Sequence, residues 1–174
     1  MTNKSVPFEL QPRKSDLLTA ESRAKIDAWI AKYPADRKQS AVLSALQAAQ
    51  EQNGGWVTSE LMDAVADYLD MPQIRVYEVG TFYSMIELEK TGRNMVALCT
   101  NISCMLCGAE TLVEHVEKKL GIRLGETTPD GRITLKCEEE CLAACSAGPM
   151  MTVNGHYHER LTPEKVDAIL DGLE

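Results

Sequence analysis

The sequence predicts an α+β protein in two parts: a helical segment over residues 16–90, then a small α+β domain over residues 91–174. Three observations carry this. Up to residue 90, apolar residues recur at helical spacing between caps and breakers. After "KTGRN", short runs of strand length alternate with helical stretches. All six cysteines lie beyond residue 98, in "CTNISCMLC" and "CEEECLAAC", so the second part carries the chemistry.

The elements follow in order. Residues 1–15 are polar with two prolines, which predicts a flexible tail. Thr19 is a suitable N-cap for "TAESRAKIDAWIAKY", where Ala24, Ile26, Trp29, Ile30 and Tyr33 form an apolar face and Pro34 ends the helix. "RKQSAVLSALQAAQEQNGG" is a second helix stopped by Gly54 and Gly55. Thr58 caps a third, with Leu61, Met62, Val65 and Leu69 on one side. Pro72 sits where a first-turn proline belongs, ahead of a fourth helical segment, "QIRVYEVGTFYSMIEL". Such faces must cover one another, hence an expected helical bundle, with Trp29, Trp56 and Phe82 in its core or, on the alternative reading, on a partner-binding surface. Beyond it, "MVALCT" reads as a strand and "AETLVEHVEKKLGI" as an amphipathic helix. "GRITLKC" reads as a half-buried strand. "MMTVNGHYHERL" is a hairpin about Asn154-Gly155. Thr162 and Pro163 open a final helix. The expected order is β-α-β-β-β-α.

Composition excludes several functions. With 18 Lys and Arg against 26 Asp and Glu, the net charge is −8. That disfavours nucleic acid and anionic lipid. Aromatic residues are only 5%, too few for base stacking. The N-terminus has no apolar core of a signal peptide, and no run approaches the ~18–20 residues that span a bilayer. A cytoplasmic protein is expected. In a reducing compartment, clustered cysteines are metal ligands or catalytic thiols more often than disulfides.

Three chemistries fit C-x4-C-x2-C and C-x3-C-x3-C. A zinc site favours two C-x2-C pairs, and only Cys104 and Cys107 have that spacing. A thioredoxin-type dithiol at "CMLC" leaves four cysteines unused. An iron–sulfur cluster suits the wider spacings, and C-x4-C-x2-C with a distant cysteine favours [2Fe–2S]. Spacing alone does not select the four ligands. No G-x-G-x-x-G follows a strand and no P-loop occurs, so no nucleotide site is legible.

"CTNISC", "KKLGIRLGETTPDGRITLK" and "CLAACSAGPMMTVNGHYHERLTPEKVDAIL", with "QEQNGGWVTSELMDAVADYLDMP" and "YEVGTFYSMI" upstream, resemble one family. It is the thioredoxin-like [2Fe–2S] ferredoxin subunit of the NADH dehydrogenase module of respiratory complex I. The resemblance covers roughly residues 20–174. It implies an N-terminal helical bundle that binds a partner, followed by a thioredoxin-like [2Fe–2S] domain. It implies one [2Fe–2S] cluster on Cys99, Cys104, Cys141 and Cys145. It implies a flavin- and NADH-binding partner subunit that holds FMN and NADH, neither of them on this chain. Electrons would pass singly between FMN and the cluster. The complex would lie on the cytoplasmic face of the inner membrane, with no insertion by this chain. Self-contained ends and no further cluster motif fit complex I. An NAD-linked hydrogenase or formate dehydrogenase subunit, or a free-standing thioredoxin-like ferredoxin, are the alternatives.

Cys107 and Cys137 fall outside that pattern. Cys107 is expected to point into the helix–sheet core as a small hydrophobe, and Cys137 to do the same from a strand end. Glu138, Glu139 and Glu140 are a solvated acidic turn on the simplest reading. On the alternative, their charge disfavours reduction, and changing all three to Gln raises the midpoint potential. His115, His156 and His158 are expected to be structural or exposed. Histidine ligation of the Rieske type is disfavoured because neither cysteine loop contains histidine. At Pro149 thioredoxin-like folds often have a cis bond, but general preference predicts trans.

Overall fold

The computed structural model describes residues 14–136 and 141–174. Contacts divide the chain into two units, Met1–Leu88 and Glu89–Glu174. Among its described residues the first holds four α-helices. Helix α1 (Ala20–Ile30) starts at Thr19, whose side chain accepts the Ser22 amide at 3.1 Å. Ser22 in turn donates its hydroxyl to the Ala48 carbonyl at 3.3 Å. A 3-10 turn at Ala35–Ala41 leads into α2 (Val42–Gln52). Helix α3 (Ser59–Leu69) is capped by Thr58, and its end is turned by Asp70 in the left-handed region. Helix α4 (Gln73–Phe82) follows Pro72.

One core joins these helices. Ile26, Leu46, Leu61, Met62, Val65, Leu69 and Val76 are buried together among alanines of α2 and α3. Small residues let backbones approach. At Gly80 a Cβ would lie 3.1 Å from the Met62 sulfur, so glycine lets α4 lie on α3.

Two expected core aromatics are outside. Helix α1 turns Ser22 and Ile26 inward, one turn apart, so Trp29 falls on its flank, 40% exposed, with Lys32 Nζ 3.4 Å from its ring centroid. Ala24 and Tyr33 are exposed as well, the latter because the helix stops at Ile30. Helix α4 buries Val76 and Gly80, and Phe82, two residues further round, is 78% exposed. Trp56 is half-buried.

The second unit is a four-stranded sheet ordered β2-β1-β3-β4. Strand β1 (Asn94–Leu98) runs parallel to β2 (Ile133–Leu135) and antiparallel to β3 (Met151–Val153), which pairs with β4 (His156–His158). Register aligns Val96 with both Leu135 and Val153, and Leu98 with Met151. That apolar row packs on Leu112 and Val116 of α6 (Ala109–Leu120) and on Val166 and Leu170 of α7 (Pro163–Asp171). Strand β2 is buried throughout, including Thr134, where alternation suggested a half-buried strand. Its Thr134 hydroxyl accepts the Gly92 amide at 2.6 Å and pairs with Thr127 at 2.7 Å, which satisfies the polar group inside. The β3–β4 turn has Asn154 and Gly155 both at positive φ, as a type I′ hairpin requires.

Candidate metal centre

Cys99 immediately follows β1. Its amide donates to the Met150 carbonyl at 3.1 Å, so the end of the sheet fixes it. Asn101 then caps α5 (Ile102–Leu106), accepting the Ile102 amide at 2.8 Å. This short helix places Cys104 in its middle and inward, 2% exposed. Cys141 and Cys145 lie on an exposed loop, and Cys145 opens the 3-10 turn Cys145–Ala147. The four thiols line one hollow of about 180 Å³, counting its solvent-open space, together with Asn101, Ser103, Ala144 and Met150.

The thiols stand in two pairs. Cys141 and Cys145 Sγ are 3.2 Å apart. Cys99 and Cys104 are buried in one cluster with Ala109 and Met150 at the sheet end. Burial pushes the Cys104 thiol up to about 11, and its hydrogen bond with Cys99 adds to the shift. A cation bound here must displace that proton, as thiolate ligation does. Among the described residues no three His, Cys, Asp or Glu side chains gather as one metal ion requires. A [2Fe–2S] centre instead takes two ligands on each of two irons. The paired soft donors and the largely apolar walls fit that group.

Cys107 lies outside the lining and is exposed, not in the core. The reason is local. Helix α5 ends at Leu106, and Gly108 at φ +90 redirects the chain into α6, so Cys107 is on no continued buried face. Cys137 and the three glutamates after it lie outside the described residues. His115 Nε2 is 2.8 Å from Asp167 Oδ1, a link between α6 and α7, and His156 is exposed, so no histidine lines the hollow.

Other contributors had weaker sequence signals. The Gly148–Pro149 bond is cis, against the general preference for trans. The tertiary amide makes that preference small, and the loop is held on both sides. The Pro149 carbonyl accepts the Leu161 amide at 2.9 Å, and the Ala147 carbonyl accepts that of Arg160 at 2.8 Å. At Gly148 a Cβ would lie 3.3 Å from Cys104 Sγ. Asn101 was legible as a cap residue before a short apolar run. Nothing local singled out Met150 or Ala143.

The family described as thioredoxin-like [2Fe-2S] ferredoxin matches residues 26–174. An NADH-quinone oxidoreductase subunit of Rickettsia felis is 46% identical over 142 residues, covering 82% of this chain and 84% of that protein. NADH dehydrogenase [ubiquinone] flavoprotein 2, mitochondrial, of Dictyostelium discoideum is 39% identical over 172 residues, covering 99% of this chain and 66% of the relative. Among solved structures, an NAD+-reducing [NiFe]-hydrogenase in the air-oxidized state aligns with TM-score 0.62 at 18% identity. That alignment covers 75% of this chain and 22% of the hydrogenase chain, and shows likeness of fold.

Proposed function

Because the chain belongs to the thioredoxin-like [2Fe–2S] ferredoxin family, we propose that it is the electron-transfer subunit of an NADH:quinone oxidoreductase, with Cys99, Cys104, Cys141 and Cys145 as cluster ligands. The observation that carries this is the pairing of four thiols around one hollow. When bound, a [2Fe–2S] cluster supplies a one-electron store. The chain's own part is to hold and orient. The β1 end and α5 fix the buried pair, while the exposed loop brings the second pair to the surface, where electrons can enter and leave. The thioredoxin-like domain occupies residues 91–174.

FMN and NADH belong to a flavin-binding partner subunit within a larger complex. The helical bundle of residues 16–90 docks that partner, and the complex rests on the cytoplasmic face of the inner membrane. Among the described residues no helix is long and apolar enough to cross a membrane. The quinone-linked reading is supported by relatives at 39–46% identity; the hydrogenase-linked one has likeness of fold at 18% behind it.

Iron and acid-labile sulfide analysis, with an electron paramagnetic resonance spectrum of the reduced chain, tests the centre. Two irons and two sulfides per chain are expected; zinc without sulfide refutes the cluster. Co-purification with the flavin subunit tests the partner, and a chain that never associates with it refutes that part.

A further inference from the structure

Ala143 stands between two ligands of the exposed loop and has φ +60. A residue with a Cβ rarely adopts this left-handed conformation. Its consequence is specific: the Ala143 amide turns back and donates to Cys141 Sγ at 3.4 Å. We propose that the Ala143 amide is a positioning group that raises the reduction potential of the centre by hydrogen-bonding the Cys141 sulfur. The inference rests on the ligand set proposed above.

The physical basis is charge. Reduction adds one electron, from dithionite in the test or from the partner's reduced flavin in the complex. No bond to Cys141 breaks and no proton moves. Part of the added negative charge falls on the ligand sulfurs. A donor already aimed at one of them stabilises the reduced state more than the oxidised one, as hydrogen bonds to cluster sulfurs do. Cys141 is exposed, so without the amide water would compete for the same lone pair with less fixed geometry. The donor at Ala143 is held in place by an unusual backbone conformation.

The test uses the full chain with its cluster reconstituted. Replacing Ala143 by its α-hydroxy acid through nonsense suppression turns the amide N–H into an ester oxygen and keeps the methyl group. The midpoint potential is expected to shift to a more negative value; an unchanged or more positive midpoint overturns the proposal. Electron–nuclear double resonance on the unaltered reduced chain in deuterated water reads the same contact directly. A strongly coupled exchangeable deuteron that the ester chain lacks supports the assignment. Its absence from the unaltered chain overturns it, also where the ester chain takes up no cluster. An unaltered chain with no [2Fe–2S] spectrum is a different failure, that of the ligand set.

Discussion

Gly148→Ala is a small change with a calculable consequence. Gly148 has φ −67 and ψ 159, ordinary extended values that alanine adopts freely and that suit a residue before proline. Backbone strain therefore plays no part, and only space matters. The new Cβ would lie 3.3 Å from Cys104 Sγ, 3.5 Å from Cys104 Cα and 3.7 Å from Cys107 Sγ. The Cα belongs to α5 and cannot give way alone. Relief then falls on Cys104 Sγ, one of the thiols that line the hollow. Overpacking of this kind costs about 1–3 kcal/mol. In a unit of this size each kcal/mol lowers Tm by roughly 4–8 °C. Thermal unfolding of the reduced, chelator-treated chain, followed by circular dichroism, reads the packing cost, and iron per chain after reconstitution reads the displacement of Cys104. Gly172→Ala is the matched control: at φ −83 its Cβ would meet carbonyl oxygens no nearer than 3.4 Å, so its Tm should hold. A Gly148→Ala chain with Tm within about 1 °C of the parent and full iron would refute the reasoning.

Three further outcomes are expected. Cys99→Ser should lose iron and sulfide, whereas Cys107→Ser, on an exposed thiol away from the hollow, should keep both and change stability by no more than about 0.5 kcal/mol; loss of iron from Cys107→Ser would reverse the ligand assignment. Leu46→Ala empties a fully buried position between the helices of the first unit and should cost about 2–5 kcal/mol, read as a lower urea midpoint at unchanged slope; an unchanged midpoint would contradict the packing described. The hydrogen bond from His115, aided by Lys119, holds the Asp167 carboxyl below its usual range. That stabilisation is present above the ordinary aspartate value near ~4 and is lost as pH falls through the lower folded value. Tm should therefore decline on the acid side less steeply in His115→Ala than in the parent, and identical acid limbs would discount the link between α6 and α7.

Much of this molecule was written locally. Thr19, Thr58 and Thr162 cap helices as their sequence context implied. Asn154-Gly155 turns a hairpin, and Leu112 and Val116 face the sheet at helical spacing. Cysteine spacing pointed to a two-iron cluster, and resemblance, not spacing, chose the ligands. The caps, the turn and the amphipathic faces were legible because they depend on residues within a few positions of one another.

Contacts between distant segments set the rest. Trp29 and Phe82 looked like core because they are large and apolar, but helix length and the two inward positions per helix left them outside. Cys107 was expected in the helix–sheet core, but Gly108 redirects the chain and leaves it exposed. The contact of Gly148 with Cys104 and the donation from Ala143 to Cys141 arise where a loop closes on a sheet end. Closure of that kind sets which atoms meet through packing and chain geometry together. Residue types and their spacing named the side chains that could serve the centre. The fold selected those that share one hollow, because thiols from two remote clusters meet only after the sheet has brought their segments together.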